Sequence, residues 1–282
     1  MGNPSSLSRW TKSEKYCRAL YHGVVCNLEG RVSSPNFHDI PNYHGVIPAF
    51  LNRLSGLTDL SFNNIPNLSG PIPPYIGNLT NLISFSIVST NLGGPVPDII
   101  SRFKNLIILT MSDNNHVGPI PQFLSQMKNL TCLDLSLNKL TGSIPAFLSR
   151  LTRLYYLSLS SNKLIGPIPL ALARLTNLNT LNFTSNELSG PIPKFIGQHQ
   201  TNLNTLELSS NNFVGHIPTN LGHIPSLTYL SISNNKLNGS IPKSLGQANI
   251  VIIRLAYNKL SGDDFVPSGT SDKIGTILRR LA

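Results

Sequence analysis

The sequence predicts an α/β fold, a right-handed solenoid with a parallel concave β-sheet and short 3₁₀ or α segments on the convex side. Three observations predict it: Ile-Pro or Val-Pro pairs recur at a nearly fixed interval, leucines alternate with polar residues before each pair, and an asparagine follows the leucines. Six of the eight intervals are 24 residues and two are 25. A coil of this length cannot bury its leucines alone, so neighbouring coils must stack. The prolines of the pairs are Pro48, Pro73, Pro97, Pro121, Pro145, Pro169, Pro193, Pro218 and Pro242.

The first half of each coil is shown by residues 131–145, which read TCLDLSLNKLTGSIP. Leu133 and Leu135 alternate with polar neighbours, which predicts a short strand with one buried face. Asn138 follows where the chain must turn, and its amide can bond backbone groups of adjacent coils that would otherwise be buried without partners. This asparagine ladder recurs as Asn114, Asn162, Asn186, Asn211, Asn235 and Asn258.

The second half of the coil returns the chain to the next strand. Gly142 allows a backbone conformation that other residues resist, and Pro145 favours an extended or turn segment. The stretch AFLSRLTRL that follows has an apolar residue about every three positions, which predicts a short 3₁₀ helix rather than a long α-helix. Ten coils, the last at Ile253, give enough core for one domain. We predict an N-terminal cap region at 1–30, repeats at 31–262 and a divergent or truncated repeat at 263–282.

The frame xxLxLxxNxLxGxIP is that of a leucine-rich repeat, and its Gly-x-Ile-Pro variant resembles the plant extracellular repeats, in which a second strand follows the ladder asparagine. Residues 59–73 (DLSFNNIPNLSGPIP) and 85–97 (FSIVSTNLGGPVP) resemble coils of the polygalacturonase-inhibiting proteins. This resemblance places Pro66 and Thr90 at ladder positions. Residues 255–264 (LAYNKLSGDD) resemble the family's Asn-Lys-Leu-x-Gly-Asp segment. The resemblance implies a secreted cell-wall protein that binds and inhibits a fungal polygalacturonase in plant defence.

The two ends of the chain depart from that family. Nine Ile-Pro or Val-Pro coils exceed the family's usual number, and we expect a shortened or divergent C-terminal end. Residues 21–31 (YHGVVCNLEGR) resemble the end of the family's N-terminal cap, which implies a disulfide between Cys17 and Cys26. No secretory signal is visible in residues 1–16, which indicates a missing or truncated leader. Cys132 is predicted to be an unpaired, partly shielded thiol on the concave face.

Composition and charge bear on the partners. A formal charge of +10 and a pI near 9.7 favour acidic partners. Nothing resembles a nucleic-acid recognition helix or an aromatic-interleaved basic patch, whereas pectate, an anionic wall polymer, fits a plant extracellular repeat. No stretch is apolar enough to span a membrane. The basic residues form two predicted columns, which serve either as solvated surface charge or as an attraction for pectate: Arg53, Arg102, Arg150 and Arg174 on the convex side, and Lys139, Lys163, Lys236 and Lys259 after the ladder asparagines.

Five Asn-x-Ser/Thr sequons occur, and together they favour a secreted glycoprotein. Asn182 should face the concave sheet, so we expect no glycan there. The candidate glycosylation sites are Asn67, Asn78, Asn129 and Asn238.

No catalytic constellation is apparent in the sequence. The histidines are predicted to lie in the cap, the turns and the convex segments, without metal-ligand spacing. No phosphate-binding loop or nucleophile elbow appears. We therefore predict no enzyme activity, no cofactor and no metal.

The outward positions of the concave strands form a predicted binding grid because stacking sets equivalent residues side by side. The grid is predicted to be neutral overall, with Asp59, Asp113, Asp134, Glu207 and Arg254 as its main charges. Tyr155, Tyr156 and Tyr229 either anchor a partner or merely cover adjacent coils. The predicted protein-binding residues are Thr110, Asp113, Asp134, Ser136, Tyr156, Ser158, Ser160, Asn182, Thr184, Glu207 and Tyr229.

Three functions are compatible with such a grid. The first is inhibition of a fungal polygalacturonase by covering its substrate cleft. The second is a non-inhibitory, receptor-like ectodomain that recognises a peptide or another ectodomain. The third is a cell-wall recognition protein held to pectate by charge.

Overall fold

The computed structural model of the chain describes residues 24–26 and 32–261. The predicted cap region and C-terminal repeat lie outside the described residues, apart from the short strand Val24–Cys26. The predicted Cys17–Cys26 disulfide also lies outside them, because neither Cys17 nor the side chain of Cys26 is described. Cys132 is a free, half-buried thiol, as predicted.

Eighteen strands run through the described part of the chain. In chain order they are β1 (Val24–Cys26), β2 (Val32–His38), β3 (Asp59–Gly70), β4 (Ser84–Pro95), β5 (Ile108–Thr110), β6 (Asn115–Pro119), β7 (Cys132–Asp134), β8 (Lys139–Ser143), β9 (Tyr156–Ser158), β10 (Lys163–Gly166), β11 (Thr180–Asn182), β12 (Glu187–Pro191), β13 (Thr205–Glu207), β14 (Asn212–Gly215), β15 (Tyr229–Ser231), β16 (Lys236–Ser240), β17 (Ile252–Arg254) and β18 (Lys259–Ser261).

The strands form two parallel ladders that are joined through β3 and β4. The concave ladder contains β2 to β5 and then the odd-numbered strands to β17, with β1 antiparallel on β2. The second ladder contains the C-terminal parts of β3 and β4 and the even-numbered strands from β6 to β18. This second ladder confirms the outer strand that the resemblance implies.

Within residues 32–261, nine short helices of five residues return the chain along the convex side. Each begins within two residues of an Ile-Pro or Val-Pro pair, and the proline directly before each 3₁₀ helix has an extended backbone. Seven are 3₁₀ helices: Ala49–Arg53, Pro74–Asn78, Asp98–Arg102, Gln122–Gln126, Ala146–Arg150, Leu170–Arg174 and Thr219–His223. Two are α-helices, α1 (Phe195–His199) and α2 (Lys243–Gln247). The predicted arginine column is exposed in these helices.

The predicted asparagine ladder is confirmed by its hydrogen bonds. The Asn138 amide donates to Met111 O of the preceding coil at 2.7 Å and to Ser136 O at 2.9 Å. Its Oδ1 accepts the backbone N–H of His116 at 3.0 Å. Each asparagine therefore pairs buried backbone groups of two coils.

The predicted ladder position of Pro66 is wrong. Ile65, not Pro66, pairs with Thr90, and the register shifts between Ile65 and Ser69. The coil has one residue more than the common length, and the chain accommodates it at this irregularity. Pro66 is exposed there, whereas Ile65 is buried.

His116 and Gln200 are polar side chains that are buried among the leucines. His116 was expected in a turn, but it is buried at the coil position that Leu140 fills in the next coil. Its Nδ1 donates to Gly94 O at 3.2 Å, while Nε2 has no hydrogen-bond partner in the described structure. The buried Gln200 donates to Leu172 O at 3.3 Å, and its Oε1 has no partner there.

Candidate functional site on the concave face

The parallel register aligns the outward residues of the concave strands into columns. Successive strands of a sheet lie about 4.8 Å apart, so each column is a line of side chains at that spacing. The edge column lies just before the strands and contains Thr58, Ile83, Ile107, Thr131, Tyr155, Asn179, Asn204, Thr228 and Val251. The strand column contains Asp59, Ser84, Ile108, Cys132, Tyr156, Thr180, Thr205, Tyr229 and Ile252. The middle column contains Ser61, Ser86, Thr110, Asp134, Ser158, Asn182, Glu207, Ser231 and Arg254.

The structure brings the predicted binding residues to this one face, but not all of them are accessible. Asp113 is exposed, and Ser136 and Ser158 are buried. Ser158 is only 1% exposed and lies 3.3 Å from the Ser160 hydroxyl, so it offers a partner almost no surface. Half-buried are Thr110, Asp134, Tyr156, Ser160, Asn182, Thr184, Glu207 and Tyr229.

Hydrogen bonds fix several polar side chains of the face. Asp134 accepts the backbone N–H of Ser136 at 2.9 Å and its hydroxyl at 2.6 Å. Asn182 accepts the backbone N–H of Thr184 at 3.0 Å and donates to Glu207 at 3.4 Å. These hydrogen bonds fix the side-chain conformations of Asp134 and Asn182 in the unbound chain, which lowers the entropy cost of binding.

The concave face is acidic, and the expected neutrality is wrong. Arg254 is the one lysine or arginine among the described residues of this face. Burial raises the pKa of the Glu207 carboxyl, and the nearby positive charge of Arg254 opposes this shift. The acidic strip of the face contains Asp39, Asp59, Asp113, Asp134 and Glu207. The other described lysines and arginines lie on the convex side, on the second ladder and in the connecting loops.

The three tyrosines of the face differ in their surroundings. Tyr155 is 55% exposed in the edge column. Burial, followed by the negative charge of Asp134, raises the pKa of Tyr156, and the same two causes raise the pKa of the Cys132 thiol. The guanidinium of Arg254 lies 5.5 Å from the centre of the Tyr229 ring, a cation–π contact that holds this tyrosine on the face.

Sequence reasoning missed the exposed isoleucines of the face. Ile83, Ile107 and Ile108 are 40%, 38% and 38% exposed, in the same two columns as Tyr155 and Tyr156. The sequence does contain a signal for Ile83 and Ile107, because they stand in the edge column, where five of the nine coils have threonine or asparagine. We call these five residues the apolar patch.

A metal site and a membrane span are both missing from the described part of the chain. It contains no group of three or more His, Cys, Asp or Glu side chains that could hold a metal ion. No helix within it is long and apolar enough to cross a membrane. Among the sequons, Asn78 and Asn238 are exposed, Asn67 and Asn129 are half-buried, and Asn182 faces the concave side.

Comparisons with known proteins agree with the repeat architecture. Family models described as leucine-rich repeats match residues 128–172, 177–199, 202–224 and 226–248. Curated proteins give no significant match. A plant ice-binding protein of solved structure is 32% identical, with a TM-score of 0.83, over 92% of this chain and 83% of that chain.

Plant receptor ectodomains are also similar to the chain. The ectodomain of the receptor kinase GASSHO1/SCHENGEN3 from Arabidopsis thaliana, solved with CASPARIAN STRIP INTEGRITY FACTOR 2, is 35% identical with a TM-score of 0.83, over 92% of this chain and 31% of that one. The peptide hormone receptor RGFR1, solved with RGF2, is 34% identical with a TM-score of 0.73, over 82% of this chain and 36% of that one. The chain thus spans about a third of the length of these receptors.

Proposed function

The chain belongs to the leucine-rich-repeat proteins, and we propose that its concave face binds a fungal polygalacturonase and inhibits it by covering the substrate cleft. The observation that carries this proposal is the separation of charge. The chain has a net charge of +10, yet the acidic strip lies on the concave face, where Arg254 is the one described lysine or arginine.

Charge complementarity favours such an enzyme as the partner. A polygalacturonase binds a polymer of carboxylates, so its cleft must present cationic side chains. An acidic surface attracts those side chains and accelerates the encounter. Ten concave strands at about 4.8 Å spacing make a face about 43 Å long, enough for an interface of ordinary size. Inhibition then requires no chemistry by this chain.

The proposal is tested by neutralising acids at matched positions. Asp134→Asn with Glu207→Gln removes two charges from the concave face, whereas Asp98→Asn with Glu187→Gln removes two from a convex helix and the second ladder. We expect the concave pair to weaken inhibition of a responsive fungal polygalacturonase at least about tenfold, with a smaller dependence on salt, and the control pair to leave it unchanged. Failure to inhibit any fungal polygalacturonase, or equal losses in the two pairs, would contradict the proposal.

Peptide recognition is the second candidate function. It is favoured by the similarity to plant receptor ectodomains, one of which is a peptide hormone receptor solved with RGF2. The same concave face would serve, with Tyr156 and Tyr229 as anchors. Saturable binding of a plant peptide that depends on these tyrosines, in a chain that inhibits no polygalacturonase, would select this function.

A secreted location in the cell wall accompanies the proposed function. Pectate is a further partner, attracted to the lysines and arginines of the convex side and the second ladder. Binding to pectate should be measurable at low ionic strength and fall steeply as salt is added. Glycosylation at Asn67, Asn78, Asn129 or Asn238 belongs to the same proposal, and mass spectrometry of protein secreted by plant cells tests it.

A further inference from the structure

The apolar patch lies within four neighbouring coils of the concave face, three of which contribute its residues. The backbone N–H groups of Ile107 and Ile108 both donate to Ile83 O, at 2.8 and 3.1 Å. In the strand column Ile108 pairs with Cys132, and Cys132 pairs with Tyr156. Thr131 alone separates Ile107 from Tyr155 in the edge column. The patch therefore spans four coils, or about 14 Å at the spacing of neighbouring strands.

The fold does not need apolar residues at these positions. One coil after the patch, the same two columns contain Asn179 and Thr180, and the next coil contains Asn204 and Thr205. The strands there pair in the same register, and the residue that follows the strand column is a buried leucine in each coil, as Leu109 is in the coil of Ile107 and Ile108. Exposed apolar side chains that the core does not require, gathered in one place, mark a contact surface.

The charges around the patch restrict what can cover it. Asp134 lies in the strand that carries Cys132, and its charge raises the pKa of both Cys132 and Tyr156, which shows how close it is to the patch. Asp59 lies in the strand column itself, two coils before Ile108, and Asp113 follows the strand that contains Ile108. No described lysine or arginine shares this half of the concave face, since Arg254 is in the last concave strand.

We propose that the apolar patch is the anchor point for a partner segment whose apolar side chains lie between lysines or arginines. Such a segment covers the isoleucines and tyrosines, while its cations face Asp134, Asp59 and Asp113. This inference rests on the proposed function, because it names the part of the protein ligand that the concave face recognises. Burial of Tyr155, Tyr156 and the isoleucines supplies the affinity, and the carboxylates supply the selection.

A second copy of this chain is a poorer occupant. In a symmetric dimer through the patch, each acidic strip would face the same strip of the other copy. Like charges at an interface oppose association. A dimer that dissociates when the patch is changed would therefore overturn the proposal, and analytical ultracentrifugation of the full chain measures it.

The chain itself supplies both the test variant and its control. Ile107→Asn with Ile108→Thr installs the pair found at 179 and 180, so the strand can accept it. Val251→Asn with Ile252→Thr makes the same change in the same columns of the last strand, at residues 53% and 37% exposed but beside Arg254. The urea midpoint of each variant checks that it folds. If the first pair does not fold, Tyr155→Ser replaces it, because Tyr155 is more than half exposed.

The probe is a library of random peptides displayed on phage and selected on the full chain. We expect enriched peptides with apolar residues between lysines or arginines, binding at least about tenfold more weakly to the 107/108 variant and unchanged to the 251/252 variant. Their affinity should also fall as salt is added. Enrichment of acidic peptides, or equal binding to the two variants, would overturn the inference.

The enzyme assay separates this inference from the proposed function. If the 107/108 variant inhibits a fungal polygalacturonase as well as the unchanged chain, the anchor point is wrong while the proposed function stands. If basic amphipathic peptides bind at the patch but no polygalacturonase is inhibited, the anchor point stands and the proposed enzyme is wrong.

Discussion

The first two full coils and the later coils differ in how they pair the backbone groups where the chain turns. In the first two, Ile65 and Thr90 stand at the ladder position, and their strands β3 and β4 each run for twelve residues from the concave face into the second ladder. In the later coils an asparagine stands there, and each coil has two separate short strands. Backbone groups at the turn are therefore paired by continuous strands in the first two coils and by asparagine side chains in the later ones.

An asparagine side chain can serve several backbone groups at once. Asn162 donates to Leu135 O at 2.9 Å and to its own coil at Leu159 O and Ser160 O, both at 3.1 Å. It also accepts the N–H of Leu140 at 2.9 Å. Thr90 has one hydroxyl, which donates to Asn114 Oδ1 and accepts the N–H of Leu92. The ladder thus replaces continuous strand pairing by side-chain pairing, and each coil then depends on its asparagine.

The largest expected effect comes from making a later coil resemble an early one. Asn162→Thr places at the middle of the ladder the residue found at position 90. The hydroxyl cannot replace four hydrogen bonds, and buried backbone groups lose their partners. We expect the free energy of unfolding to fall by about 2–4 kcal/mol, measured by urea denaturation.

The exposed Asn105 provides the control for this substitution. Asn105→Thr should change the free energy of unfolding by less than about 0.5 kcal/mol. Equal effects of the two substitutions would mean that the strands pair their own backbone without the amide, and the contrast between early and later coils would disappear.

His116 lies where the two regions meet and gives the next largest effect. Burial lowers the pKa of this imidazole below its ordinary value of 6.5, so the ring is neutral in the folded chain at pH 7. The unfolded chain takes up a proton below pH 6.5. The neutral ring therefore contributes fully to the free energy of unfolding above that pH. This contribution is lost as the pH falls from 6.5 towards the pKa that His116 has in the folded chain. His116→Leu, which copies Leu140, should remove this loss and add about 1–2 kcal/mol at pH 7, because Nε2 is no longer buried without a partner.

Urea denaturation between pH 7 and pH 5 measures both effects. His223 is exposed on a convex helix, so His223→Leu is the matched control. The control should change stability at pH 7 by less than about 0.5 kcal/mol. An unchanged pH profile in the His116 variant would show that other groups cause any acid sensitivity.

The sequence predicted the regular parts of the molecule well. The Ile-Pro interval, the alternating leucines around Leu133 and the column of Asn138 predict the ladders and the convex helices, because each reflects a need that every coil shares. Cys132 was placed correctly for the same reason.

What the sequence did not predict depends on contacts between coils. The position of Pro66 was wrong because one extra residue in that coil can be accommodated at several points, and only the pairing of Ile65 with Thr90 shows where. The burial of Ser158 and the grouping of the apolar patch follow from neighbours in adjacent coils, 24 residues away, rather than from the local sequence. His116 was missed because a polar residue at a core position looks like a turn residue until its surroundings are known.

The smallest expected effect concerns the residue before the ladder position, whose backbone is left-handed in both regions. The φ angle there is 52° at Asn64, 53° at Leu137 and 53° at Asn234. A left-handed backbone costs most residues roughly 1–2 kcal/mol, whereas asparagine adopts it readily. Leu137 is 51% exposed, so its replacement loses some buried surface as well.

Leu137→Asn should therefore raise the free energy of unfolding by about 0.5 kcal/mol, the relief of backbone strain less the lost contact. The urea midpoint measures it. Leu170 is 74% exposed in a convex 3₁₀ helix, so Leu170→Asn changes the same side chain without the left-handed backbone and should give no gain. If Leu137→Asn lowers the free energy of unfolding as much as Leu170→Asn does, the packing of Leu137 outweighs its backbone strain. Leucine would then be tolerated at the left-handed position of a later coil as well as asparagine is in an early one.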